Sequence, residues 1–99
     1  MNATRTTSLE ALADIRAGLS RRQARVLEVI DHFAVSGAPA SDLDIADVLR
    51  WPINCVTPRR GELVKLGLVE DAGQYRLRDG RNRHYWIPAL RLFAGEEVR

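Results

Sequence analysis

The sequence predicts a mostly α domain with a small β-hairpin, an α+β fold of four helices, a short strand and a ribbon. Three observations predict it. Apolar residues recur at helical spacing in four segments before Gly67. Ser, Asn, Gly and Pro bound those segments where caps and turns need them. After Gly67 the rhythm changes to alternation around Asp79-Gly80-Arg81-Asn82, a turn-forming tip.

Ser8 is placed to cap a first helix, with Leu9, Leu12, Ile15 and Leu19 at three-to-four spacing and an interruption near Gly18. Ser20 caps a second, whose stripe is Val26, Leu27, Ile30, Phe33 and Ala34. Ser36-Gly37-Ala38-Pro39 ends it by turn chemistry. Ser41-Asp42-Leu43-Asp44 has capping-box form, with Asp44 in place of the usual Glu. The helix it opens has Ile45, Ala46, Val48 and Leu49 as its apolar side and stops by Trp51, because Pro52 disfavours helix at the residue before it. Asn54 is the expected cap of the fourth helix, with Val56, Leu63 and Leu66 inward and Gly67 just past its end.

Leu68-Val69-Glu70 reads as a short strand, and Gln74 to Arg78 and Arg83 to Ile87 as the two arms of a hairpin. Tyr75 and Leu77 would form an apolar face, with Arg76 and Arg78 opposite. In the second arm either Tyr85 and Ile87 or His84 and Trp86 face inward, and size favours Trp86. Pro88 to Ala94 reads as a last turn carrying Leu90, Leu92 and Phe93.

Ninety-nine residues hold one small domain, and 45% hydrophobic with 28% charged residues is an ordinary globular composition. One cysteine forms no intrachain disulfide, which suits a reducing, cytoplasmic setting. No apolar h-region and no run long enough for a membrane span is present, so neither a signal peptide nor a membrane partner is expected. Net charge is only +2, but it is uneven. Residues 1–53 carry 6 Arg against 7 carboxylates; residues 54–99 carry 8 Arg and 1 Lys against 6. Arg suits bidentate contacts to phosphate or guanine.

Short helices joined by a tight turn and followed by a two-stranded ribbon form the winged helix-turn-helix arrangement. The stretch "LSRRQARVLEVIDHFAVSGAPASDLDIADVL" resembles the opening of the DNA-binding domain of LexA-type repressors. The shared features are Leu-Ser-x-Arg-Gln-x-x-Val-Leu, a small-residue and Pro turn, and Ile-Ala-x-x-Leu. "WPINCVTPRRGELVKLGLVE" and "GRNRHYW" are similar to small winged-helix proteins of phages and prophages. Three departures stand out. The chain does not hold the LexA-type Ser-Lys protease, so autocleavage is not expected. Arg50 stands where the resemblance expects Gly, at a cost of about 1 kcal/mol if its φ is positive. Arg60 stands where phage-type proteins often have an apolar residue, and is expected along the helix flank with its head in solvent.

The resemblance implies residues 1–18 as an N-terminal helix available for dimer contact, 19–88 as the winged-helix domain and 89–99 as a tail. It implies sequence-specific binding to double-stranded DNA by a small bacterial or phage-type regulator. The recognition helix would present Asn54, Thr57, Pro58, Arg59 and Arg60 to the major groove, where Arg pairs with guanine and Asn with adenine, and Lys65 to solvent or at most a phosphate. The wing would present Arg76, Arg78, Arg81, Arg83 and His84 to the flanking backbone. Asn54 reads equally as a helix cap, and Pro58 as a first-turn proline. The charged pairs read also as a solvated face and the hairpin arginines as edge protection. Cys55 near a helix start is a redox-sensor candidate or a small packed residue. No catalytic triad, paired acid and base, phosphate loop or metal-ligand spacing occurs, so neither an enzyme, a cofactor nor a metal is expected. Leu9, Leu12 and Ile15 with Leu90, Leu92 and Phe93 are candidate homodimer surfaces. The rival reading is a winged-helix protein-interaction module.

Overall fold

The computed structural model describes residues 9–89. The expected cap Ser8, the side chains of Leu9 and Leu12, and the residues of the last turn beyond Ala89, with Leu90, Leu92 and Phe93, lie outside the described residues. The elements are α1 (Leu9–Ala17), α2 (Arg21–Val35), β1 (Ala40–Ser41), α3 (Asp42–Leu49), α4 (Ile53–Lys65), β2 (Val69–Arg76) and β3 (Asn82–Pro88). The strands form one antiparallel sheet in the order β1-β3-β2.

Helix starts follow local chemistry. Ser20 and Ser41 each accept from the backbone N–H three residues on, and Gln23 and Asp44 return the bond to the cap N–H, completing two capping boxes. The start of α4 departs from expectation. Pro52, held extended at φ −61° and ψ 147°, is its cap, without a side-chain hydrogen bond. Proline's fixed φ lets the helix begin at Ile53, so Asn54 lies inside the first turn rather than before it. Pro58 falls beyond that turn and offers no N–H to the Asn54 carbonyl.

Three helices end in the same way. Ala38 N–H reaches Phe33 O, Trp51 N–H reaches Ala46 O and Leu68 N–H reaches Leu63 O, at 3.0, 3.1 and 3.0 Å. Each is the long bond of a Schellman motif around a left-handed residue. Those residues are Gly37 (φ 87°), Arg50 (φ 60°) and Gly67 (φ 83°). The motif explains one difference from the sequence reading. Leu66 caps α4 and is exposed; the chain reverses at Gly67 and Leu68 packs inward against Leu63 instead.

The core is Val26, Leu27, Val29 and Ile30 of α2, Ile45 and Ala46 of α3, Val56 and Leu63 of α4, with Ala40, Leu68 and Val69 from the strands. Ile15, Leu19, Phe33, Leu49, Trp51 and Trp86 pack around it. Val48, expected inside, is exposed because the buried side of α3 is centred on Ile45, Ala46 and Leu49. Ile15 packs on its own domain, and Arg16 pairs with Asp31 at 3.0 Å to fasten α1 to α2.

The sheet has the expected number of strands, but they are not the expected ones. Ala40 and Ser41, both buried, pair with Trp86 and Tyr85. β2 is a single strand from Val69 to Arg76, where a short strand and a separate hairpin arm were expected. A bulge between Asp71 and Gly73 joins the two parts; Asp71 accepts from Gly73 N–H at 2.6 Å, and Gly73 takes φ 99°. At the tip, Gly80 N–H donates to Leu77 O and Leu77 N–H to Arg81 O, with Gly80 left-handed. The strand alternation therefore stops at Arg76. Leu77 and Tyr75 do not share an apolar face: Leu77 borders the cleft beside α4, whereas exposed Tyr75 packs edge-on against Tyr85. Trp86 faces the core, as its size suggests.

Candidate nucleic-acid interface

α4 and the β2–β3 hairpin border a shared cleft of about 410 Å³. Ile53, Thr57 and Arg60 line one side; Leu77, Arg81 and Arg83 line the other. Two clasps fix α4 there, and both use arginines that the sequence offered as contact residues.

The first clasp joins α4 to α3 and the sheet. Arg60 Nε and Nη2 donate to the two oxygens of Asp42 at 3.0 and 2.9 Å. Thr57 Oγ1 donates to Asp42 at 2.9 Å. The Arg60 guanidinium lies 3.9 Å from the centre of the Trp86 ring. On the hairpin, His84 stacks on Trp86 at 4.7 Å and 15°, with its Nε2 2.6 Å from Asp71. The Arg60 and Asp42 side chains are only 16% and 17% exposed. The expectation of an Arg60 head in solvent is thus corrected: its apolar stem and charged head are both used inside the domain.

The second clasp joins α4 to α2. Arg59 binds Glu62 through two bonds of 2.9 Å, and Gln23 of α2 donates to the same carboxylate at 2.8 Å. The Arg59 guanidinium, then the Gln23 amide, hold the Glu62 carboxyl below the usual carboxylate range.

What α4 leaves outward is a stripe opposite Val56 and Leu63: Asn54, Thr57, Pro58, Gly61, Val64 and Lys65, with Ile53 at its edge. Lys65 is exposed and forms no ion pair among the described residues. Cys55, in the first turn of α4, is half-buried.

The hairpin is the more open basic surface. Arg76 makes one long bond, 3.4 Å, to the Gly80 carbonyl. Arg78 and Arg83 form no ion pair among the described residues. Arg81 pairs with Asp79 at 2.8 Å, yet is 81% exposed, so solvent screens that pair. The Arg81 backbone N–H, then its guanidinium, depress the Asp79 carboxyl. The Gly73 N–H, then His84, do the same for Asp71. Gln23, Asp42, Glu62, Asp71 and Trp86 take part in this site although the sequence did not place them there. Only Glu62 carried a local signal, its three-residue spacing from Arg59.

Among the described residues no group of His, Cys, Asp and Glu is arranged to hold a metal ion, and no helix is long and apolar enough to cross a membrane. Comparisons with protein families, with curated proteins and with solved structures return no match for this chain. What the surface does must therefore be read from its own chemistry.

Proposed function

We propose that the chain is a winged helix-turn-helix protein that binds double-stranded DNA and acts as a small transcriptional regulator. In this reading α4 lies along the major groove and the hairpin meets the flanking backbone. The observation that carries it is the cleft between α4 and the hairpin, bordered on the hairpin side by Arg83, which forms no ion pair among the described residues, and by Arg81, whose pair with Asp79 is screened by solvent. The order α2, β1, α3, α4, β2, β3, with β3 between β1 and β2, suits the same arrangement. A single module buries a modest interface, so a homodimer is the expected binding form.

Fluorescence anisotropy with a random-sequence duplex across a salt series tests this. On α4 and the hairpin, Arg76, Arg78, Arg83 and Lys65 are the cations without an ion pair among the described residues, and four phosphate contacts give a log–log slope of about −3.6. Changing Arg76, Arg78 and Arg83 together to Ala should reduce it to about −1. No duplex binding at low salt, or a slope the triple change leaves intact, would refute the proposal. A second reading has one observation in its favour: exposed Ile53, Val64 and Leu66 on α4, beside arginines already neutralised, suit docking to another protein. That module would show salt-insensitive, negligible affinity for any duplex.

A further inference from the structure

We infer that the DNA read by α4 is rich in A·T pairs, recognised through thymine methyl groups and adenine edges rather than through guanine. This rests on the DNA-binding reading and names the target class of that site.

Guanine is read chiefly by a bidentate Arg or Lys, adenine by a bidentate Asn or Gln, and thymine by an apolar group against its methyl. Of the possible guanine readers on α4, Arg59, Arg60 and Lys65, the two arginines carry the planar fork suited to a bidentate contact. Both already spend their paired N–H groups on carboxylates, Arg59 on Glu62 and Arg60 on Asp42, each through two bonds of 2.9–3.0 Å. Glu62 is also held by Gln23, and Arg60 is covered by Trp86. Turning either arginine outward removes the charged partner of its carboxylate, leaving Glu62 with Gln23 and Asp42 with Thr57. The outward stripe then offers one amide, Asn54, and carbon: Ile53, Pro58, Val64 and the methyl of Thr57, whose hydroxyl is tied to Asp42. At Gly61 an added Cβ would meet nothing within 4 Å, so a shallow gap lies mid-stripe where a methyl can sit. Lys65, at the far end, is a point charge that suits phosphate. Hairpin arginines across the cleft supply the complementary charge for the backbone.

The test compares the full chain on A·T-rich and G·C-rich duplexes of equal length, and on the A·T-rich duplex with uracil in place of thymine. Uracil removes only the 5-methyl, which lies in the major groove, so the swap separates α4 from any minor-groove preference of the hairpin. We expect the A·T-rich duplex to bind more tightly, and each buried methyl lost to uracil to weaken binding about fourfold. Asn54→Ala should weaken A·T-rich binding on the order of tenfold. Thr57→Ser, which keeps the bond to Asp42 but removes the methyl, should blunt the uracil effect. Equal or better binding to the G·C-rich duplex, or no uracil effect, overturns the inference while leaving salt-dependent DNA binding standing. Absence of binding to every duplex removes the DNA-binding reading itself, and the inference with it.

Discussion

Replacing Arg60 with Met separates a structural arginine from a DNA-contacting one. Methionine keeps an unbranched apolar stem against Trp86 but removes the guanidinium. The loss is two charge-assisted hydrogen bonds to Asp42 and the stacking over Trp86 at 3.9 Å. Charged hydrogen bonds contribute about 1.5–3 kcal/mol in such settings, and Asp42, at 17% exposure, is left with Thr57 as its side-chain donor. Renewed access of water to Asp42 offsets part of this. A net destabilisation of about 2–3 kcal/mol follows, a fall in Tm on the order of 10–20 °C for a domain of this size. Urea and thermal unfolding followed by circular dichroism would measure it. The double variant Arg60→Met with Asp42→Asn should recover part of the loss, since it removes the buried charge that the single change orphans. At a temperature where the variant is folded, its salt slope on duplex DNA should equal that of the parent. Unchanged stability together with a shallower slope would refute the reasoning, because Arg60 would then be on phosphate and not in the clasp.

Arg50→Gly should stabilise the domain by about 1 kcal/mol, because the left-handed turn at φ 60° is strained for any residue with a Cβ; a lower urea midpoint would contradict this. Gly61→Ala should add about 0.5–1 kcal/mol of stability, since the new methyl meets no atom of the chain and alanine favours helix. The same variant should bind DNA less well, so a stabilised protein with unchanged affinity would take α4 off the DNA. Glu62, Asp71 and Asp79 have folded pKa values below their unfolded ones. Their stabilisation is therefore complete above the ordinary carboxylate range and lost as pH falls through the depressed values. Carboxyl carbon shifts should titrate below those of the unfolded chain; ordinary midpoints would dissolve the three contacts.

Local features of this chain were legible in its sequence. Ser41 and Asp44 form the capping box their spacing announces, Ser20 caps α2 as expected, and the ends of α2, α3 and α4 lie where turn chemistry puts them. Size alone turned Trp86 inward. What was not legible depends on distant partners or on backbone geometry. Two buried residues, Ala40 and Ser41, form a strand only because β3 lies alongside. The bulge at Gly73 hides the continuity of β2, and the reversal at Gly67 exchanges Leu66 for Leu68 in the core. Arg60 is the consequential case. Its partner Asp42 stands eighteen residues earlier, and no periodic pattern links them.

The pairing of Arg59 and Arg60 inside the domain bears on specificity as well as stability. An arginine free on a helix surface attracts every phosphate equally, so it raises affinity for all sequences. Discrimination depends on the ratio between the right site and the rest. On the DNA-binding reading, clasping both arginines lowers the indiscriminate attraction of α4 and leaves that attraction to the hairpin. The same bonds hold α4 against α2, α3 and the sheet, so its outward stripe is positioned before any partner arrives. A rigid apolar stripe gains only where methyl groups and edges fit it, whereas charge gains anywhere along a duplex. Releasing Arg59 by Glu62→Gln should therefore raise affinity for random DNA more than for a preferred site, narrowing the ratio that the clasp maintains.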